Sequence, residues 1–285
     1  MGIPKLIWTY WNDPNKVPNV VKRCISNWKI VNGSEYNIYI LSTENCKKFI
    51  SSEFPQNFNT LTPQRQADWI RCAVLKEHGG IWLDASIILT ESLNWLVNFT
   101  FNKEGFLYYN KSHTINSLYP IVENWFIASI PNGKFITAWF NEFDFATKSF
   151  GNNGMAYLDN IDLVYGKDTL ASIVQNISSD FYKNYLTMHF CAQKLMQVDK
   201  ISIDSMYIED AFSGPFIGCT VSRWRSNNEL YQILTQEPST ATTENFKLLK
   251  MIKSEREMLD NILNYNPKNI RKDSLTYKFL RLQKH

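Results

Sequence analysis

Apolar positions in the opening third of the chain switch between two periods. Leu6 to Trp11 reads as an opening strand, and Asn12-Asp13-Pro14-Asn15 after it is a turn. From Val17 to Val31 the apolar residues Val20, Val21, Cys24, Ile25 and Trp28 fall on one helix face. Tyr36 to Leu41 then alternates and is rich in β-formers, and Ser42 predicts the N-cap of a helix running towards Ile50. Thr62 as N-cap, Pro63 at the first helical position and Gly79 at the C-terminal end mark both limits of the next helix. Its residues Ala67, Trp69, Ile70, Cys72, Ala73, Val74 and Leu75 point nearly all round the axis, which predicts a buried helix. Ile81 to Leu83 starts an apolar run that Asp84 interrupts and Ile87 to Leu89 resumes, the pattern of a central strand. Further on we expect a strand at Phe106 to Tyr109 and helices at Lys134 to Lys148, Asp168 to Asn176, Asp180 to Met196 and Glu244 to Asn264. A β-α-β-α start predicts an α/β sheet with its ligand site at the strands' carboxyl ends, near a switch in strand order. The expected organisation is one domain over residues 1–267, α-rich in its second half, then a tail at 268–285.

Composition narrows the class. With 44% hydrophobic and 20% charged residues the chain is excluded from the disordered, collagen-like and coiled-coil classes. A net charge of only +3 gives no global basic field, so nucleic acid is not an expected partner. Aromatic residues at 14%, nine of them Trp, suit stacking on planar or sugar-like ligands, although core packing accounts for most of them, Trp125, Trp139 and Trp224 included. Five scattered cysteines without a C-x-x-C pair indicate neither a disulfide framework nor a zinc site and fit a reducing cytosol. No secretory signal and no apolar run long enough for a transmembrane helix is expected. Charge is uneven, however. Lys268, Arg271, Lys272, Lys278, Arg281 and Lys284 oppose only Asp273, a local +5 interleaved with Ile270, Leu275, Phe279, Leu280 and Leu282. That pattern is a candidate basic amphipathic helix for an anionic membrane surface, which gives a cytoplasmic protein peripheral at the inner face of the cell membrane.

Candidate chemistry gathers in the buried helix. Steps of three residues place Arg65, Asp68 and Arg71 along one slanted strip about 9 Å long. Asp68 and Arg71 can satisfy each other as a structural ion pair, but an excess positive charge is left and the next strand brings Asp84. A charge inside a central strand is costly unless paired, hydrogen-bonded or metal-bound. Two guanidinium groups and a carboxylate at a strand's end are suited to holding a diphosphate with Mg²⁺ or Mn²⁺. His78, His113, His189 and His285 carry no metal-ligand spacing; His78 reads as a favourable charge at a helix C-terminus and His189 as a helix-face residue. Gly79-Gly80 lacks any phosphate-loop context, and Gly151 to Gly154 reads as a surface turn.

The segment ADWIRCAVLKEHGGIWLDAS, Ala67 to Ser86, resembles the sugar-transferase signature shared by bacterial capsular polysaccharide synthesis proteins, yeast-type mannosyltransferases with a DXD motif and the glucosylating clostridial toxins. It is most similar to the capsular proteins, whose start also matches the opening IPKLIWTYW and the SNW at Ser26 to Trp28, so the resemblance covers roughly the first 95 residues. Ser213-Gly214-Pro215 is similar to a late motif of that family. This resemblance implies a GT-A fold, a Rossmann-like nucleotide-sugar binding sheet. It also implies transfer of a sugar from a nucleotide-diphosphate donor, a UDP-hexose, with retention, onto a growing lipid-linked capsular or cell-surface saccharide. By the same resemblance Trp11 stacks on the donor base, Asp68 holds sugar hydroxyls, Arg71 lies near sugar and diphosphate, and Asp84 is the first Asp of DXD. Thr9, Tyr10, Arg65, Ala85 and Ser86 complete the expected donor contacts. The second Asp is absent, since the motif reads Asp84-Ala85-Ser86. Three routes stay open: Asp84, with Ser86 beside it, binds Mn²⁺ or Mg²⁺ with phosphates and water; a later carboxylate, Asp204, Glu209 or Asp210, assists; or basic groups replace the metal. Metal dependence is the expectation. The alternative is a non-catalytic sugar or nucleotide-sugar binding protein derived from such an enzyme.

Overall fold

A computed structural model describes residues 2–174, 186–216, 227–239 and 246–280. Along the chain the elements are β1 (Leu6–Tyr10), α1 (Asn19–Asn32), β2 (Asn37–Leu41), α2 (Pro63–His78), β3 (Gly80–Leu83), β4 (Ile87–Leu89), α3 (Leu96–Phe99), β5 (Gly105–Tyr109), β6 (Val122–Ser129), α4 (Lys134–Phe150), α5 (Gly154–Tyr165), α6 (Lys167–Val174), α7 (Thr187–Gln197), β7 (Met206–Asp210), α8 (Asn227–Tyr231), β8 (Leu248–Lys250), α9 (Lys253–Tyr265) and α10 (Leu275–Phe279). The expected α/β class is met, with helices dominating the second half. Two compact units interleave: Met1–Asn12, Tyr39–Leu83 and Leu96–Asp210 form the first, and Asp13–Ile38, Asp84–Trp95 and Ala211–His285 the second.

The first unit is built on a sheet of strand order β2-β1-β3-β6-β5-β7. β1 and β3 are parallel (Ile7↔Ile81), β6 runs antiparallel to both β3 (Leu83↔Phe126) and β5, and β5 and β7 are parallel (Tyr109↔Asp210). The carboxyl ends of β1, β3, β5 and β7 therefore share one edge with the amino end of β6. α2, α4 and α7 supply Trp69, Ile70, Val74, Phe135, Trp139, Phe143, Met188 and Phe190 to one core cluster. Such side chains contribute roughly 1.5–3 kcal/mol each on burial. α2 has both expected ends. Thr62 Oγ1 accepts from the Arg65 N–H at 3.2 Å, and the Gly79 N–H returns to the Leu75 carbonyl at 2.9 Å. Gly79 has φ +65, and a Cβ there would lie 2.6 Å from the Pro131 nitrogen, so glycine is required twice over.

In the second unit β4 pairs antiparallel with β8 (Ile87↔Lys250, Leu89↔Leu248). The edge of β4 away from β8 is met by side chains of α1: Trp28 Nε1 donates to the Ile87 carbonyl at 2.8 Å, and Asn27 both donates to the Leu89 carbonyl and accepts its N–H. Backbone groups that a third strand would satisfy are thus satisfied by two side chains. The N-terminus of α1 has no capping side chain of its own; Asp260 of α9 accepts the Val20 N–H at 2.8 Å instead.

Several expectations need correction. No α-helix follows Ser42: Asn45 accepts the Ser42 N–H and donates to the Ile40 carbonyl, Ser42 Oγ accepts from Glu44, and these bonds displace a first helical turn in favour of a 3₁₀ turn at Cys46–Lys48. The run from Ile81 to Leu89 is two strands in different sheets, separated by a turn in which the Ile87 N–H donates to the Asp84 carbonyl. Within the stretch expected as a helix from Glu244, Leu248–Lys250 is a strand and α9 starts only at Lys253, where Glu255 accepts the Ile252 N–H. β6, β7 and α5 were not anticipated; β6, buried at seven of eight positions, shows no alternation to read. Gly151 to Gly154 is the expected turn, ending α4 and supplying Asn153 as the cap of α5. α6 and α7 match expected helices, whose residues 175–176 and 180–185 lie outside the described residues.

The tail is not one amphipathic helix. It holds a five-residue helix, α10, and buries Ile270, Leu275 and Leu280 at 5%, 0% and 2% exposure, so these three side chains are not presented to a membrane surface. Residues 281–285 lie outside the described residues. Among the described residues no helix is long and apolar enough to cross a membrane, and Cys24, Cys46, Cys72 and Cys191 are free thiols, Cys219 lying outside the description.

Candidate active site

Three elements of the first unit converge where β3 ends. On α2, Arg71 Nη1 and Asp68 Oδ1 form an ion pair at 2.8 Å, with side-chain exposures of 4% and 13%. The Arg71 guanidinium lies over the Trp82 ring of β3 at 4.9 Å. From the amino end of β6, Asn124 Nδ2 donates to Asp68 Oδ1 at 3.1 Å, and Met188 of α7 places its sulfur near both Arg71 and Asn124. Arg65, a turn and a half earlier, donates from Nη2 to Thr187 Oγ1 at 2.8 Å and sits over the Phe143 ring. Burial pushes its pKa down, with Asp68 opposing. Thus Asp68 and Arg71 are brought together as an ion pair, while Arg65 turns to α7. His189 on α7 is buried, and burial together with Arg71 pushes its pKa down to about 4, so its ring is neutral at pH 7. His78 Nε2 is 2.6 Å from the Phe49 carbonyl in the last turn of α2.

At the end of β1 the expected donor contacts separate. Thr9 is fully enclosed, and Tyr10 is 5% exposed with its hydroxyl donating to Gln66 Oε1 at 2.7 Å. Trp11 is partly exposed, and its N–H donates to the Leu41 carbonyl. Farther along the same sheet edge Glu123 accepts from Asn110 Nδ2 and from Trp125 Nε1, both at 3.1 Å, and Trp125 stacks on Tyr108. Glu209 and Asp210 stand opposite Tyr108 and Tyr109 in register. Asp204 precedes β7, at the opposite edge, bonded to the Ser202 hydroxyl, and is removed from the carboxylates expected near the site. Trp139 is a core residue, its Nε1 donating to the Met188 carbonyl; Trp224 lies outside the described residues. Asn124, Thr187 and Asn110 were missed in the sequence because amides and hydroxyls carry no periodic signal, and Glu123 because the strand that holds it, β6, was not read.

Asp84, Ala85 and Ser86 belong to the second unit, on the turn that continues β3. Asp84 Oδ2 pairs with Lys250 Nζ of β8 at 3.0 Å, with side-chain exposures of 27% and 12%. Ala85 is 7% exposed. Ser86 is 3% exposed and its hydroxyl donates to the Met251 carbonyl at 3.1 Å, so it does not present an oxygen to an ion. The Lys250 N–H donates to the Pro215 carbonyl at 2.6 Å, which sets the Ser213-Gly214-Pro215 motif beside β8. Gly214 is required there, since a Cβ would lie 2.5 Å from the Phe246 ring. No group of three or more His, Cys, Asp or Glu side chains among the described residues could hold a metal ion. With an ammonium on Asp84 and the Ser86 hydroxyl engaged by backbone, this turn does not fit direct divalent coordination by Asp84 and Ser86.

Over 158 residues the chain is 30% identical to the O-glycosyltransferase braB of Annulohypoxylon truncatum, a match covering 49% of this chain and 37% of that protein. The chain therefore spans little more than a third of that relative's length. Among solved structures it is similar to the PaToxG glycosyltransferase (17% identity, TM-score 0.34, covering 68% of this chain and 87% of that one). It is also similar to a glycosyltransferase involved in the glycosylation of the major capsid of PBCV-1 (10% identity, TM-score 0.41, covering 90% and 100%). At those TM-scores neither likeness carries an argument about this chain. The family model described as capsular polysaccharide synthesis protein matches residues 2–145, just over half of the sequence, and the chain belongs to that family.

Proposed function

We propose that the protein is a GT-A-type glycosyltransferase that moves a sugar from a nucleotide-diphosphate donor, a UDP-hexose, to a saccharide acceptor that is lipid-linked in the cell. The observation that carries this reading is the Asp68–Arg71 pair held by Asn124 where β3 ends, within the segment that matches the family. Asp68, the more open of the pair, accepts hydrogen bonds from donor-sugar hydroxyls, and Arg71 faces the charge of the diphosphate. Trp11, the partly exposed aromatic after β1, stacks on the base. Transfer breaks the bond between the anomeric carbon and the β-phosphate oxygen, whose electron pair stays on the leaving nucleoside diphosphate. The acceptor oxygen forms the new bond on the face that the phosphate leaves, which retains the configuration, and its proton goes to the departing phosphate, so no protein base is needed. Cationic donors preorganised towards the growing phosphate charge supply most of the rate.

Purified protein incubated with a panel of nucleotide sugars should release free nucleoside diphosphate slowly, and faster when the right acceptor is added. Asp68→Asn should lower that release by about 10²–10³-fold, as loss of one preorganised polar contact does. The competing reading, a non-catalytic sugar or nucleotide-sugar binding protein, is favoured by Ser86 in place of the motif's second Asp. It predicts donor binding with no release for any acceptor.

A further inference from the structure

Residues 110–121 join the carboxyl end of β5 to the amino end of β6, and Asn124, the third residue of β6, bonds Asp68, so this loop leaves the first unit's sheet beside the candidate site. The loop is built on its own polar groups. Asn110 Oδ1 accepts from the Ser112 hydroxyl at 2.8 Å and from the His113 N–H at 3.2 Å, while Thr114 Oγ1 donates to the Asn110 carbonyl at 2.7 Å and accepts from the Ile121 N–H at 3.0 Å. Gln193 of α7 fastens the far end by donating to the Pro120 carbonyl at 2.8 Å. With those bonds made inwards, two aliphatic side chains are left outside: Ile115 is 74% and Leu118 72% exposed. Apolar side chains scattered singly over a surface are ordinary, but these two stand three residues apart on one short loop. Phe101 is also exposed, yet it precedes β5 and so belongs to the opposite edge. Lys111 is exposed, and no Asp or Glu occurs between it and Ile121, so the loop carries positive charge.

We infer that the loop over residues 111–119 is a membrane-contact surface, with Ile115 and Leu118 entering the headgroup region of an anionic bilayer and Lys111 facing its lipid phosphates. The inference rests on the transferase reading and deepens it: an acceptor carried on a lipid presents its sugar at the bilayer surface, so the catalytic edge of the sheet has to approach that surface, and the groups standing out from that edge meet it first. Aliphatic tips shed water on entering the boundary region, and a lysine beside them gains from the negative surface potential. Two short side chains bury less than one acyl chain, whose hold is itself reversible, so this contact lets the protein leave between transfers.

The test is co-sedimentation of the full chain with vesicles of phosphatidylcholine alone and of phosphatidylcholine mixed with phosphatidylglycerol, in about 0.1 M and about 0.5 M NaCl. The mixed vesicles should bind more tightly at the lower salt. The Ile115→Ser, Leu118→Ser double variant should bind them at least about tenfold less well at both concentrations, since salt screens charge and not apolar burial. Lys111→Gln should lose about fivefold, and at the lower salt only. Both variants change exposed side chains away from the donor contacts, so the melting temperature and the release of nucleotide from a sugar donor in solution should match the unaltered chain. Failure of the unaltered chain to bind any vesicle, or equal binding by the double variant, overturns the assignment. So does a double variant that changes the oligomeric state in sedimentation velocity and leaves vesicle binding as it was, because the loop is then an interface between copies of this chain. Nucleotide release decides the transferase reading separately: vesicle binding that depends on Ile115 and Leu118, without release from any donor, removes that reading and leaves the membrane contact standing.

Discussion

Arg71 is enclosed by a carboxylate, an indole face and a thioether, and only the carboxylate balances its charge among these three contacts. Asp68→Ala should therefore destabilise the fold by about 1.5–3 kcal/mol, the loss of one buried charge-assisted hydrogen bond to the guanidinium. Asp68→Asn keeps the shape, so its melting temperature should fall less while donor turnover still collapses; loss of turnover in step with stability across both variants would make the pair structural only. His189 offers a pH-resolved test. Its pKa is about 4 when folded against an ordinary 6.5, so the unfolded chain binds the proton first as pH falls. The stabilisation from keeping the ring neutral is complete above about pH 6.5 and is lost progressively towards pH 4, in total roughly 3 kcal/mol. Urea denaturation between pH 4 and 7.5 should show that slope, and His189→Gln should flatten it. At this scale the D-x-x-R pairing was legible because both residues share one helix face. Asn124 and Lys250 were not, since they reach Asp68 and Asp84 from 56 and 166 residues away.

Among the elements, α2 was read correctly at both ends because its stop signals are local: a capping hydroxyl, a proline and a left-handed glycine. Gly79→Ala should cost more than about 2 kcal/mol by thermal denaturation, since positive φ and a backbone contact at 2.6 Å act together, whereas Thr62→Ala should cost about 1 kcal/mol. Equal effects would mean that the Pro131 segment yields freely. The Ser42 helix failed for the complementary reason: an N-cap residue and an Asx turn use the same side-chain types, and only the bonds made by Asn45 separate them. Likewise the run from Ile81 to Leu89 has one hydrophobic pattern but two sets of strand partners, β1 and β6 for its first half and β8 for its second.

For the molecule as a whole, composition and the opening β-α-β-α order carried the α/β class, but nothing in the sequence marks where the chain passes between units, because no linker does. The single domain over 1–267 was drawn from length and the absence of a repeat or linker, and the tail from 268 from charge, which is silent about Ile270, Leu275 and Leu280, all buried. Deleting residues 268–285 should consequently lower stability. A cleaner test of the anionic-membrane proposal is to replace the exposed Lys268, Lys272 and Lys278 by Gln, which should weaken binding to phosphatidylglycerol vesicles by about 1 kcal/mol per lysine without moving the melting temperature. Undiminished vesicle binding would remove the tail from consideration as an anchor.

The pairing of Ile87–Leu89 with Leu248–Lys250 also bears on how the polypeptide is made. Roughly 160 residues must be added between the two segments, which at about 5–20 residues per second takes on the order of 10–30 s. Throughout that interval an apolar stretch emerging from the ribosome lacks its β-partner, so co-translational chaperones have a defined window in which to hold this particular nascent chain.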